Sequence, residues 1–284
     1  MFKSIFIAVY ILLAMVTTIA SVIGLIFSGD WHGYLGVFLT SGPVSIMLTR
    51  LMILKDKART GASLLPLLFL AVVGLGLSFY GWQFEQTHLA LLCLGVVMAG
   101  LLVGYIFGYS KLDRSGSKLV VGDTMPGFEL KDVDGASITS ASFTGSPAIL
   151  IFYRGNWCPL CVAQVKEMVE NYDQLKKMGA RVVFVSPQSQ EHTISLATQF
   201  GVSGVEFMQD AHNKAAEALG IESKFGTPVG MKSMGYDSDT VLPTVVITDD
   251  NGLVVWTHET DNYRVRPEPE TYLAVLKEMG LKPA

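Results

Sequence analysis

The chain has 284 residues, half of them hydrophobic and only 16% charged, with a formal net charge of −4. That length points to about two domains. The mildly acidic balance argues against nucleic acid as a partner, and three cysteines are far too few for a secreted disulfide framework.

The average hides a sharp division. Residues 1–110 carry five basic side chains (Lys3, Arg50, Lys55, Lys57, Arg59) and three acidic ones (Asp30, Asp56, Glu85), which leaves 16 basic and 22 acidic residues, a net of −6, for the rest. Four apolar stretches, at residues 5–27, 34–54, 64–82 and 89–107, fill this first part. Each is long enough to cross a bilayer of about 30 Å at about 1.5 Å per residue. The first follows a lone Lys3 and has the look of a signal peptide, but its apolar core is too long for one and reads as an uncleaved span. The second is the weakest, because Gly42-Pro43 interrupts it and Arg50 sits near its end.

The loops at 28–33 and 83–88 hold no Lys or Arg, whereas Lys55, Lys57 and Arg59 lie between the second and third stretches and Lys111, Arg114 and Lys118 follow the fourth. The positive-inside rule then places both termini in the cytoplasm. With three spans instead of four, the second half would lie outside. The expectation is an integral protein of a bacterial inner membrane, with the lipid bilayer as a partner. Cys93 stands alone in its stretch and offers no dithiol relay, and no acidic residue lies within a span to mark an ion path. Gly74, Gly76, Gly95 and Gly100 are places where helices can approach closely. This half, residues 1–110, reads as a membrane domain that anchors the rest.

After a short connector, residues 119–146 read as strands and turns, with Val133-Asp134-Gly135 the clearest turn. The apolar run 148–153 has the character of a buried central strand. From 159 to 178, Leu160, Val162, Val165, Met168, Val169, Tyr172 and Leu175 recur at helical spacing, and Gly179 ends the pattern. Residues 181–186 are another β-branched run, 191–200 and 213–219 read as helices, and strands at 244–248 and 253–257 flank Asp249-Asp250-Asn251-Gly252. A last helix covers about 269–279. Strands alternating with helices give an α/β domain over residues 118–284.

The informative segment of this domain is Trp157-Cys158-Pro159-Leu160-Cys161, between the central strand and the long helix. A Cys-x-x-Cys at a helix start sets its first thiol against unpaired N–H groups and the positive end of the helix dipole, which favours thiolate. The second cysteine is close enough to close a disulfide and release what the first has captured. Half of a zinc site is the rival reading, but zinc normally takes four ligands, and His192, His212 and His258 are scattered. No metal or cofactor is expected. A redox-inert pair is a further alternative.

The element order resembles a thioredoxin fold. Within it, Gly122-Asp123-Thr124-Met125-Pro126-Gly127-Phe128-Glu129-Leu130, followed by Phe152-Tyr153-Arg154-Gly155-Asn156-Trp157-Cys158-Pro159-Leu160-Cys161, resembles the peroxiredoxin-like branch of the alkyl hydroperoxide reductase/thiol-specific antioxidant (AhpC/TSA) family. The resemblance covers roughly residues 118–281. The thioredoxin-fold resemblance implies a cis Pro243, in Leu242-Pro243-Thr244, lying against the active-site disulfide. The family resemblance implies an antioxidant oxidoreductase served by a thiol reductant, either thioredoxin-type or a small thiol.

Against the family pattern Pro-x-x-x-Thr-x-x-Cys with a later Arg, Cys161 takes the place of the peroxidatic cysteine and Cys158 that of the Thr. Arg154 stands where the Pro would be, and Pro243 where the Arg is expected. Two donors that polarise a peroxide bond are thus missing from the pattern. The first expectation is therefore thiol–disulfide exchange, with Cys158 attacking a disulfide and Cys161 resolving. The alternative is a thiol peroxidase that attacks a hydroperoxide through Cys161; a non-enzymatic docking module is the third reading. Trp157 either shields the sulfurs or simply packs, Arg154 is either a site charge or a surface one, and residues 222–239 are either a lid or a surface loop.

Overall fold

The computed structural model describes residues 1–200 and 203–282, so the last two residues of the 118–284 assignment lie outside the described residues. The chain forms two compact units. One is Phe2–Leu54 with Thr60–Lys111; the other joins Lys55–Arg59 to the chain from Leu112 onward.

The first unit consists of α1 (Phe2–Phe27), α2 (Trp31–Leu54), α3 (Leu65–Phe84) and α4 (Leu89–Val103), the last continued by a π-helical turn over Gly104–Tyr109. All four helices are long and apolar enough to cross a membrane. Their outer faces carry Leu12, Val16, Ile19, Phe69, Val72, Val96 and Val97, all exposed, whereas Thr17, Ser21, Thr40, Ser41, Ser45 and Ser78 are buried. The exposed faces of these helices are thus apolar and the buried ones small or hydroxylated.

The least apolar helix, α2, packs against all three others. Its Thr40 and Ser41 hydroxyls donate to the Val37 carbonyl near Pro43, and the Thr18 hydroxyl donates to Ser45 Oγ at 3.0 Å. Of the four glycines singled out above, Gly74 is where backbones meet. A Cβ there would lie 2.6 Å from the Gly36 carbonyl, and one on Gly36 would lie 2.5 Å from the Gly74 carbonyl. Gly95 makes only ordinary contacts, and a side chain on Gly76 or Gly100 would meet nothing within 4 Å.

The second unit is built on a seven-stranded sheet in the order β2-β1-β5-β4-β3-β8-β9. Its strands are β1 (Glu129–Lys131), β2 (Ser137–Thr139), β3 (Ala148–Phe152), β4 (Arg181–Ser186), β5 (Val205–Gln209), β8 (Thr244–Thr248) and β9 (Val254–His258). The central β3 runs parallel to β4 and antiparallel to β8, with Ile149 level with Val182 and Ile247. All five of its residues are buried, as expected of a strand covered on both faces. Ala148, Leu150 and Phe152 alternate onto one face, where they join Leu130, Phe143, Met208 and Leu219 in the core.

The helices are α5 (Pro159–Glu170), α6 (Tyr172–Lys177), α7 (Gln190–Phe200), α8 (Lys214–Leu219) and α9 (Pro269–Glu278); β6 (Glu222–Ser223) and β7 (Thr240–Val241) form a separate two-stranded sheet. The single helix expected over 159–178 is interrupted at Asn171. Its side chain donates to the Glu167 carbonyl at 2.9 Å, so it satisfies a helix-end acceptor locally and the chain restarts as α6. The strand β5 was not expected. Its run is short and half-buried, and Glu206 within it is held by a bidentate Arg181 at 2.8 Å on both arms.

Candidate active site

Strand β3 delivers Tyr153, whose N–H donates to the Val185 carbonyl at 2.9 Å, into the turn that precedes α5. Cys158 caps α5 with an extended backbone (φ −90, ψ 112), and its carbonyl accepts from the N–H groups of Cys161 (3.0 Å) and Val162 (3.1 Å). Pro159 follows as the first helical residue, where its missing N–H costs nothing. Cys161 therefore lies inside the first turn and Cys158 just outside it. Both are buried, at 0% and 2% exposure, and both are free thiols.

Charge at the pair is concentrated on Cys161. Arg266, from the segment after β9, donates through Nη2 to Cys161 Sγ at 3.3 Å and through Nη1 to Gln164 Oε1 at 2.5 Å. Gln164 in turn donates to Tyr272 Oη at 3.3 Å. Burial opposes ionisation of Cys161. The hydrogen bond from Cys158, the charge of Arg266, a backbone hydrogen bond from Arg154 and the charge of Arg154 outweigh it and hold the thiol down to about 5. Cys158 moves the other way: its hydrogen bond to Cys161, burial and the Cys161 charge all push it up. The reduced site is one thiolate and one thiol, with the thiolate on the second cysteine. The helix-start argument alone pointed to the first.

The expected site residues divide as follows. Arg154 belongs to the site: it is buried, its guanidinium donates to the Gly226 carbonyl and lies 4.8 Å over the Trp157 ring, and its carbonyl accepts from Thr240 Oγ1 at 2.9 Å. Trp157 is half-buried and folds back over Gly155, whose φ of +136 only glycine adopts readily and whose added Cβ would lie 2.8 Å from the indole. Pro243 is in place but not as expected. Every peptide bond among the described residues is trans, the ordinary state even before proline, so the cis bond implied by the resemblance is absent. Instead Pro243 walls a small cavity together with Arg266, Gln164, Thr244 and His258, and its carbonyl accepts from Arg114 at 2.5 Å.

Residues 222–239 cross the active-site turn. Tyr236 Oη donates to Asn156 Oδ1 at 2.5 Å, Gly226 accepts from Arg154, and His192 stacks on the Tyr236 ring at 4.4 Å. Gln188, from the turn after β4, donates to Tyr153 Oη at 3.0 Å and accepts from the Asn156 N–H at 2.8 Å, which fixes the turn from below. Neither Gln188, Gln164 nor Arg266 was anticipated. The alternation Arg264-Val265-Arg266 carried a usable signal, because two arginines on one side of an extended segment call for a buried partner. Among the described residues, no group of three or more His, Cys, Asp or Glu is placed to hold a metal.

The AhpC/TSA family model matches residues 121–257. A chloroplastic peroxiredoxin Q from Sedum lineare is 31% identical over 130 residues, covering 45% of this chain and 69% of that one. The chain belongs to the AhpC/TSA family. It is a peroxiredoxin-like oxidoreductase. Peroxiredoxin Bcp of Escherichia coli (strain K12) is 27% identical over 161 residues, 56% of this chain and 97% of that protein. Among solved structures, reduced Prx3 from Vibrio vulnificus in complex with H2O2 aligns over 56% of this chain and 99% of that one, with a TM-score of 0.49 and 19% identity. The helices α1 to α4 and Arg266 both lie outside the residues that match the AhpC/TSA family model.

Proposed function

We propose that this AhpC/TSA protein is a membrane-anchored thiol peroxidase in which Cys161 attacks the peroxide and Cys158 resolves. The observation that carries the reading is the raised acidity of Cys161, set by its hydrogen bond from Cys158 and by Arg266, whose Nη2 lies 3.3 Å from the sulfur. The Cys161 sulfur gives an electron pair to one peroxide oxygen. The S–O bond forms, the O–O bond breaks, and the departing alkoxide or hydroxide takes a proton from solvent. Arg266 and the Arg154 N–H, which hold the thiolate, are positioned to stabilise the charge that moves to the leaving oxygen. They supply the donors that this chain lacks at the family's Thr and Arg positions, where it has Cys158 and Pro243.

Oxidation also primes the second step. Cys158 is kept protonated by its bond to the Cys161 thiolate, by burial and by the Cys161 charge, and the first and last of these depend on the thiolate. Once Cys161 is a neutral sulfenic acid, both influences fall away and Cys158 becomes the stronger nucleophile. Its sulfur attacks Cys161, the S–S bond forms, and the oxygen leaves as water. Cys158 lies outside the helix proper, so the disulfide closes without unwinding α5. A thioredoxin-type or small-thiol reductant restores the dithiol by exchange.

The four apolar helices support anchoring in a bacterial inner membrane, and the distribution of Lys and Arg in their loops supports a cytoplasmic redox unit. The test is hydrogen peroxide consumption by the full-length protein with a thioredoxin-type reducing system. Turnover that disappears in Cys161→Ser supports the proposal. Disulfide reduction without peroxide turnover would instead restore exchange through Cys158.

A further inference from the structure

The cavity behind Arg266 holds two buried polar atoms that the mechanism has not used. His258 Nε2 and Arg266 Nε both lack a hydrogen-bond partner, and both residues line a cavity of about 10 Å³ together with Gln164, Pro243, Thr244, Val245, Val265 and Pro267. That is about the space one water needs. His258 is hydrogen-bonded to the Val265 backbone, and with Nε2 unpartnered this bond belongs to Nδ1, so Nε2 presents a lone pair. Arg266 Nε is a donor. No direct hydrogen bond joins the two, and a water between them can accept from Arg266 Nε and donate to His258 Nε2.

We propose that His258 is a positioning residue for Arg266: through one buried water it fixes the guanidinium whose Nη2 faces Cys161, and so sets the acidity of that thiol. The side chains facing His258 fit this role. Burial foremost, and then the charges of Arg114 and Arg266, oppose a charge on the imidazole, and Trp256 stacks beside it at 6.0 Å, which favours the neutral, accepting ring. Gln164 holds Nη1 and Cys161 holds Nη2, so a water on Nε gives each of the three nitrogens of the buried guanidinium a partner. The Arg266 carbonyl is also held by Arg59 Nε at 3.2 Å, so the backbone of this segment has an anchor besides the His258 bond to Val265. Loss of His258 therefore frees the side chain while Arg59 still holds the segment.

The inference takes from the functional proposal only the reading that Cys161 is the thiolate. Its test needs no peroxide, so its failure is distinct from a failure of peroxide turnover. In the full-length reduced protein, the rate of iodoacetamide modification at Cys161, resolved by mass spectrometry, is followed against pH. In His258→Phe, which removes the acceptor, the profile moves up by about one unit, a roughly tenfold smaller thiolate fraction below the midpoint. In His258→Gln, whose side-chain oxygen restores an acceptor, it returns toward the parent. A folded His258→Phe protein with an unchanged profile overturns the proposal. Should that variant fail to fold, a crystal structure of the reduced parent decides: a water within hydrogen-bond distance of both His258 Nε2 and Arg266 Nε supports it, and a dry cavity overturns it.

Discussion

Arg266 Nη2 donates to Cys161 Sγ at 3.3 Å, a contact between two buried residues 105 positions apart in the chain. An opposite charge at that distance shifts a titrating group by about one to three units. Arg266→Met is therefore expected to raise the Cys161 midpoint from about 5 by roughly that amount, with a parallel fall in peroxide reactivity at pH 6. Arg266→Lys keeps the charge but not the fork that also holds Gln164, and is expected to recover only part of it. Thiolate absorbance near 240 nm against pH, in Cys93→Ser backgrounds, reads both.

The same pair makes stability depend on pH. Cys161 is depressed from 9.0 to about 5, so its contribution is complete above pH 9 and is lost as pH falls through 5. Cys158 is raised above 9.0, so its contribution is complete below pH 9 and is lost only as pH rises through its higher folded value. Between pH 5 and 9 the Cys161 effect makes the reduced protein more stable as pH rises, and His258, held below its ordinary value chiefly by burial, adds in the same direction near the acid end. Cys161→Ser removes the Cys161 part of that slope. Urea unfolding of parent and variant at pH 5.5, 7 and 8.5 under reductant is the comparison to make. Equal pH dependence in the two proteins contradicts a native thiolate.

Gly155 is a backbone requirement of the active-site turn. At φ +136 with the Trp157 ring 2.8 Å from an added Cβ, Gly155→Ala combines an unfavourable backbone with a clash. A loss of about 2–3 kcal/mol is expected, with Trp157 displaced from beneath Arg154. Thermal unfolding reads the first effect and the tryptophan emission maximum the second.

In the helical unit, Gly74→Leu puts a side chain where the Gly36 carbonyl lies 2.6 Å away, whereas Gly76→Leu meets nothing. The first is expected to lower the thermal midpoint of helical circular dichroism in detergent and the second to leave it within error. Equal effects would show that α2 and α3 do not cross at Gly36 and Gly74.

The strands and helices around the cysteines were legible because each is a strong local pattern: the continuous run of β3, the 3.6-residue spacing of α5, and the Asp-Asp-Asn-Gly turn between β8 and β9. What was not legible was tertiary. Cys161 owes its acidity to the Cys158 hydrogen bond and to the charge of Arg266, which follows the last sheet strand and lies beyond the family match, so local spacing shows only part of the cause. The helix dipole favoured Cys158 on sequence grounds, and these two together outweigh it. Pro243 was assigned a cis bond by resemblance, whereas here it walls the cavity behind Arg266. In α2, the interruption at Gly42-Pro43 looked like weakness, yet this helix is the one surrounded by the other three, where small residues are what packing needs.

The central claim is that Cys161 is oxidised first. The direct measurement is mass spectrometry of the full-length Cys158→Ser protein after one equivalent of hydrogen peroxide in the presence of dimedone. The account predicts one dimedone adduct on Cys161, formed within seconds, and none when Cys161 is also replaced. No adduct on Cys161, together with a mixed disulfide captured on Cys158 in a Cys161→Ser protein, would contradict it.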